Sequence, residues 1–195
     1  MSSSIPDTRT RILQATRALL EDSPQKSTRM ADIAKAAGIS RQALYLHFPN
    51  RAELLIATTR FVDQTTDLAT RLNPSRVADT GVERLEEFIK AWGNHIPEIH
   101  PAAQALLAMK DSDTAANEAW SNRMQAMREG CAAAVQALVR DQVLMPEHSD
   151  VEATDILWTL LSVHNWELLT QECGWTQTQY VAKTIAIARR MLVCT

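Results

Sequence analysis

The sequence predicts an all-α protein, with a small three-helix module at the N-terminus and a larger helical body behind it. Three observations predict this. Five glycines and seven prolines in 195 residues leave few of the turns a sheet protein needs, and no run of alternating β-branched residues is bounded by hairpin turns. Apolar residues recur at helical spacing along most of the chain. Charge divides the same way. Residues 1–60 hold nine Lys or Arg against five Asp or Glu, a net of +4, and the rest hold eleven against eighteen, a net of −7, which together give the −3 of the whole chain. A basic end on an acidic chain suits a polyanionic partner such as nucleic acid, although plain scatter of charge gives similar counts.

Each element follows from its own residues. Ile12, Leu13, Ala15, Leu19 and Leu20 make a one-sided stripe over about Asp7 to Asp22, and SPQKS breaks it. Thr28 is the expected N-cap of a second helix, with Asp32 near its positive end and Met30, Ile33, Ala34 and Ala37 on one face. Gly38 can take the left-handed conformation that closes this helix, and Ile39 can fold back over the cap. Ser40 caps a third, short helix. Its anchors Leu44 and Phe48 point inward and leave Arg41, Gln42 and Tyr45 on the outer arc. Pro49 stops it, and Asn50 with Glu53 starts a long connecting helix expected to run to Leu72. Two short helices joined by AAGIS match a helix-turn-helix.

The chemistry of the third helix suits a major groove. Arg41 can grip guanine O6 and N7, and Gln42 can pair with adenine N6 and N7. Ser40, Thr28, Tyr45, His47 and Arg51 are placed for sugar-phosphate contacts, which position without reading sequence. His47 is equally readable as a structural histidine packed beside Phe48.

The stretch MADIAKAAGISRQALYLHFPNRAELL resembles the signature of the tetracycline-repressor (TetR) family of bacterial transcription regulators: IA-x-x-A-G-[IV]-S, then L-Y-x-H-F, then a basic residue at a new helix start. The resemblance covers about the first sixty residues. It implies a helix-turn-helix DNA-binding domain over residues 1–50 and a helical ligand-binding and dimerisation domain over 51–195. It also places phosphate contacts on Tyr45, His47 and Arg51 and the base-reading turn on Ser40, Arg41, Gln42 and Ala43. At the start of the second helix, where Thr28 and Arg29 are the candidate contacts, the chain departs from the family pattern: Arg29 and Ala31 stand where a Ser or Thr and a basic residue are common.

Beyond Leu72, a helix is expected through Val82 to Trp92, with an interruption at HIPEIHP, then a short helix at Ala102 to Lys110 and a long one at Thr114 to Val143. Trp92, Met109, Trp120, Met124, Met127 and Trp158 are candidates to line a pocket for a small apolar or amphipathic ligand, or are simply core. Ile156 to Val163 and Ile185 to Ala188 are apolar nearly all round, so the segments that contain them, Asp150 to Glu172 and Gln177 to Val193, are expected to pack on a second subunit in a two-fold four-helix interface, making a homodimer.

Other functions find less support. No HExxH, GxSxG, glycine-rich phosphate loop or paired-carboxylate arrangement appears, so no catalytic residue, metal or cofactor is expected. Cys131, Cys173 and Cys194 are odd in number and lack CxxC spacing; a regulator answering to cysteine oxidation and one with no ligand are the rivals, with an all-α enzyme a remote third. No apolar run is long enough for a bilayer and MSSSIPDTRTR is not a signal peptide, so a cytoplasmic protein without a membrane partner is expected. The combined expectation is a repressor bound to an inverted-repeat operator on double-stranded DNA and released by its ligand.

Overall fold

The computed structural model describes residues 7–22 and 28–194; the break expected at SPQKS lies outside them. Eleven helices follow in order among these residues: α1 (Thr8–Asp22), α2 (Met30–Ala36), α3 (Arg41–His47), α4 (Arg51–Thr65), α5 (Leu68–Arg71), α6 (Asn73–Val77), α7 (Gly81–Met109), α8 (Thr114–Arg140), α9 (Asp150–Leu160), α10 (Val163–Glu167) and α11 (Gln177–Leu192). A π turn at Leu168–Glu172 continues α10. The protein is all-α: an isolated bridge between Leu144 and Val193 is the one extended pairing among the described residues.

The contacts divide the chain into two compact units. One takes in the chain up to Thr65 together with Ile99–Arg123, and the other Thr66–Glu98 with Met124–Thr195.

In the first unit, Ile12, Leu13, Ile33, Leu44, Phe48 and Leu54 bury together and join α1 through α4. Burial of each such side chain stabilises by about 1.5–3 kcal/mol. A second cluster joins Leu20 and Leu55 to Leu106, Met109, Ala116 and Ala119, with Trp120 packed against it. The turn between α2 and α3 closes as expected. Gly38 is left-handed (φ 67°), its N–H donates to the Lys35 carbonyl at 3.1 Å, and the Ile39 N–H donates to the Ala34 carbonyl at 3.0 Å. This paired arrangement satisfies two carbonyls that the helix end would otherwise leave open. The start of α2 differs from expectation: its N-cap is Arg29, with no side-chain cap bond. Thr28 is buried instead.

The connecting helix is shorter than the apolar pattern suggests. It starts on the expected cap, with Asn50 Oδ1 accepting from the Glu53 N–H at 2.9 Å, but it ends at Thr65 and not Leu72. Asp67 takes the left-handed conformation (φ 53°), which aspartate tolerates better than most residues. The apolar spacing of Leu68 and Leu72 survives in the short α5 and its C-cap.

Helix α7 runs without interruption through Pro97 and Pro101, contrary to the break expected at HIPEIHP. Proline lacks the N–H that would bond the carbonyl four residues earlier. The Gly93 carbonyl, which stands four before Pro97, accepts instead from Gln177 Nε2 of α11 at 2.9 Å. A side chain supplies the missing donor.

The expected single helix over Asp150 to Glu172 is also divided. Ser162 caps α10 by accepting from the Asn165 N–H at 3.1 Å. The carbonyls released at the break find donors: Leu160 accepts from Asn165 Nδ2 at 2.9 Å and Tyr180 Oη at 3.3 Å, and Leu161 accepts from Trp92 Nε1 at 3.2 Å. Leu161 is fully buried within its own unit, so a charge there attacks the core and not a subunit contact. Val151, Leu168, Ile187 and Met191 are the exposed large apolar residues of α9 to α11.

Two glycines test this packing. A Cβ on Gly81 would lie 2.5 Å from the Ala137 carbonyl oxygen and 2.8 Å from the Leu138 nitrogen, whereas one on Gly174 meets nothing within 4 Å. Backbone cannot step aside as a side chain can. Gly81→Ala is expected to cost about 3 kcal/mol, and Gly174→Ala only about 1 kcal/mol, for its left-handed φ of 72°. Denaturant unfolding of both variants measures the difference.

Candidate nucleic-acid interface

Helix α3 is held from one side and open on the other. Leu44 and Phe48 are buried, and Ser40 accepts from the Ala43 N–H at 3.1 Å to start the helix. With the inner face anchored, the outer face presents Ser40, Arg41, Gln42, Tyr45 and His47, all exposed, and Ala43 is partly covered. Five of the nine expected contact residues are therefore exposed on or beside α3. Arg29, at the entry to α2, is exposed as well.

Thr28 and Arg51 are placed differently. Thr28 is 6% exposed, and its carbonyl accepts from Arg51 Nε at 2.5 Å. Arg51 also pairs through Nη1 with Asp113 Oδ2, and its side chain is 16% exposed. A guanidinium spent on internal acceptors has little left for a phosphate. The family position that implied a backbone contact holds an internal ion pair in this chain.

Two residues of this surface had not stood out in the sequence. Leu46 is 83% exposed, the most open of the large apolar residues among the described residues. Arg9 sets its guanidinium 4.9 Å from the centre of the Phe48 ring, a cation–π contact. Arg9 also shares with His47, Phe48 and Arg60 a hollow of about 320 Å³. The charge of Arg9 was visible in the sequence, but its partner lies thirty-nine residues further on (48 − 9 = 39). His47 thus borders a basic hollow beside Phe48, which keeps both of its readings in play.

The six expected ligand residues fall in both units. Met109 and Trp120 belong to the apolar cluster of the first unit. Trp92, Met124, Met127 and Trp158 belong to the second. Of these, Trp92 is buried with its indole N–H given to the Leu161 carbonyl, its ring 5.5 Å from that of His95. Trp158 has Arg128 over its ring at 5.9 Å, and its indole nitrogen is buried with no hydrogen-bond partner.

Cys131 is fully buried, and burial pushes its thiol up to about 12. Cys173 is exposed. Among the described residues no group of three or more His, Cys, Asp or Glu could hold a metal ion, and no helix is long and apolar enough to cross a membrane.

A glycine-turned pair of short helices, the second anchored inward and polar outward, inside an all-helical chain, is the architecture of a helix-turn-helix regulator. Residues 12–58 match the family described as bacterial regulatory proteins, tetR family. The match covers the helix-turn-helix module, from α1 into α4. The chain is 41% identical over 73 residues to the nucleoid occlusion factor SlmA of Marinomonas sp. strain MWYL1, covering 37% of this chain and 36% of that protein. It is 31% identical over 131 residues to the HTH-type transcriptional regulator EthR of Mycobacterium tuberculosis, covering 65% and 59% respectively. The matches thus span about a third and about three fifths of these curated relatives. In fold, the chain resembles a Saccharomonospora viridis protein solved in complex with choline, with a TM-score of 0.72 at 16% identity over 96% of this chain and 98% of that one.

Thiol labelling checks the cysteine environments. At pH 8 a thiol with a value near 12 is ionised in roughly one molecule in 10,000. Cys173 is expected to react quickly in the native protein, and Cys131 only after denaturation. Fast labelling of Cys131 in the folded state would contradict its burial.

Proposed function

We propose that this chain is a sequence-specific, DNA-binding transcriptional regulator of the cytoplasm, acting as a homodimeric repressor on an inverted-repeat operator and released by a small apolar or amphipathic ligand. The observation that carries it is the exposed face of α3, where Arg41, Gln42 and Tyr45 stand free while Leu44 and Phe48 fix the helix from behind. Arg41 and Gln42 read bases; Ser40, Tyr45 and His47 hold the backbone, with Arg29 and Arg9 adding positive charge. The helix-turn-helix family match supports this reading, and the lack of any catalytic motif in the sequence agrees with it.

Dimerisation is assigned to α9–α11, where Ile187 and Met191 remain exposed on α11. The ligand is assigned to the second unit, among Trp92, Met124, Met127 and Trp158. The choline complex of the Saccharomonospora viridis protein supports a ligand site in this fold. Whatever compound binds must favour one conformation to alter DNA affinity, and operator DNA must then weaken its binding by the same factor.

Selection of bound duplexes from a random pool tests the core of the proposal. The recovered sites are expected to be inverted repeats, and no enrichment would refute DNA reading. Arg41→Ala is expected to lose about 1–3 kcal/mol and to relax preference at one base pair in each half-site. Ile187→Asp places an unpaired carboxylate in an apolar contact and is expected to yield monomers in sedimentation while the fold persists. A variant that stays dimeric would move the interface elsewhere.

A further inference from the structure

We infer that Asp113 is a positioning residue for DNA binding, acting through Arg51 on the entry and exit of the helix-turn-helix; this rests on the DNA-binding reading above. Arg51 opens α4 and spends its donors in three directions. Nε donates to the Thr28 carbonyl at 2.5 Å, Nη1 to Asp113 Oδ2, and Nη2 points to Met109 Sδ at 3.9 Å. Thr28 immediately precedes the N-cap of α2, and Arg51 follows the end of α3 by four residues (51 − 47 = 4). One guanidinium therefore ties together the two ends of the DNA-reading pair.

Asp113 is itself fixed. Its Oδ1 accepts from the Ala115 and Ala116 N–H groups at 3.0 and 3.2 Å, capping α8. Its other oxygen is thus presented to Arg51 by a helix start and not by a freely rotating side chain. The two side chains are 16% and 17% exposed, so water can do little to replace either partner if the other is lost. Arginine suits this junction because its planar fork serves several acceptors at once. The carbonyl it holds sets where α2 begins, and the closed Gly38 turn carries that placement on to α3.

A phosphate contact and a positioning role make opposite predictions. Asp113→Asn removes a negative charge from the unit that would meet a polyanion, so charge alone would tighten binding. Positioning requires the reverse. Asparagine retains an oxygen to cap α8, and the variant therefore isolates the loss of the ion pair.

The test uses the full-length protein and a duplex recovered by selection, with binding measured across salt concentrations and each preparation's active fraction fixed by stoichiometric titration. Asp113→Asn is expected to weaken binding by about tenfold with an unchanged salt dependence. Arg51→Ala is expected to weaken it without lowering the salt slope, and the double variant to be no worse than either single one. Thermal unfolding run alongside shows whether Arg51→Ala folds; if it does not, Asp113→Asn still decides. Asp113→Asn binding as tightly as wild type, or more tightly, overturns the inference. So does a fall of about one unit in the salt slope for Arg51→Ala, which marks a direct phosphate contact. Failure of the wild type to select any duplex is a separate result, and it removes the DNA reading on which the inference stands.

Discussion

The guanidinium of Arg51 is the junction on which the first unit depends. Apolar burial gathers α1 to α4, and the guanidinium fork adds a directional hold on the Thr28 carbonyl just ahead of α2. With Thr28, Asp113 and Met109 as acceptors on separate segments, the fork requires all three in place at once. Cooperative constraints of this kind suit a reading head, since a base contact fails with small misplacement.

The same residue marks the limit of the local pattern. Much of the helix-turn-helix that depends on neighbours a few positions away was legible: the Gly38 closure, the Ser40 cap, the Asn50 and Glu53 start, the inward pair Leu44 and Phe48. Arg51 also has the right spacing for a phosphate contact, and nothing within the motif says that an aspartate sixty-two residues further on will claim it. Thr28 was misplaced for the same reason, as its carbonyl answers to Arg51 and its side chain caps nothing.

The larger helices repeat the lesson. Two prolines in HIPEIHP predict an interruption by every local rule, yet α7 continues through both, and Gln177 supplies a donor to the Gly93 carbonyl that Pro97 leaves open. The division between α9 and α10 is equally hidden in an apolar run, since the donors that make it tolerable come from Trp92, Asn165 and Tyr180. The six tryptophan and methionine positions could be found by composition, but composition is silent on which cluster each joins. Their separation into two units is a property of the folded chain.

The bond from Gln177 to Gly93 has a temporal side. It joins residues eighty-four positions apart, so while the chain is being synthesised from its N-terminus the middle of α7 emerges long before the group that completes it. Until α11 exists and docks, the Gly93 carbonyl has only water for a partner, and the proline-bearing turn is held by its flanks alone. A helix at the middle of the sequence is thus finished by the last one, and completion of the second unit is tied to arrival of the C-terminal segment.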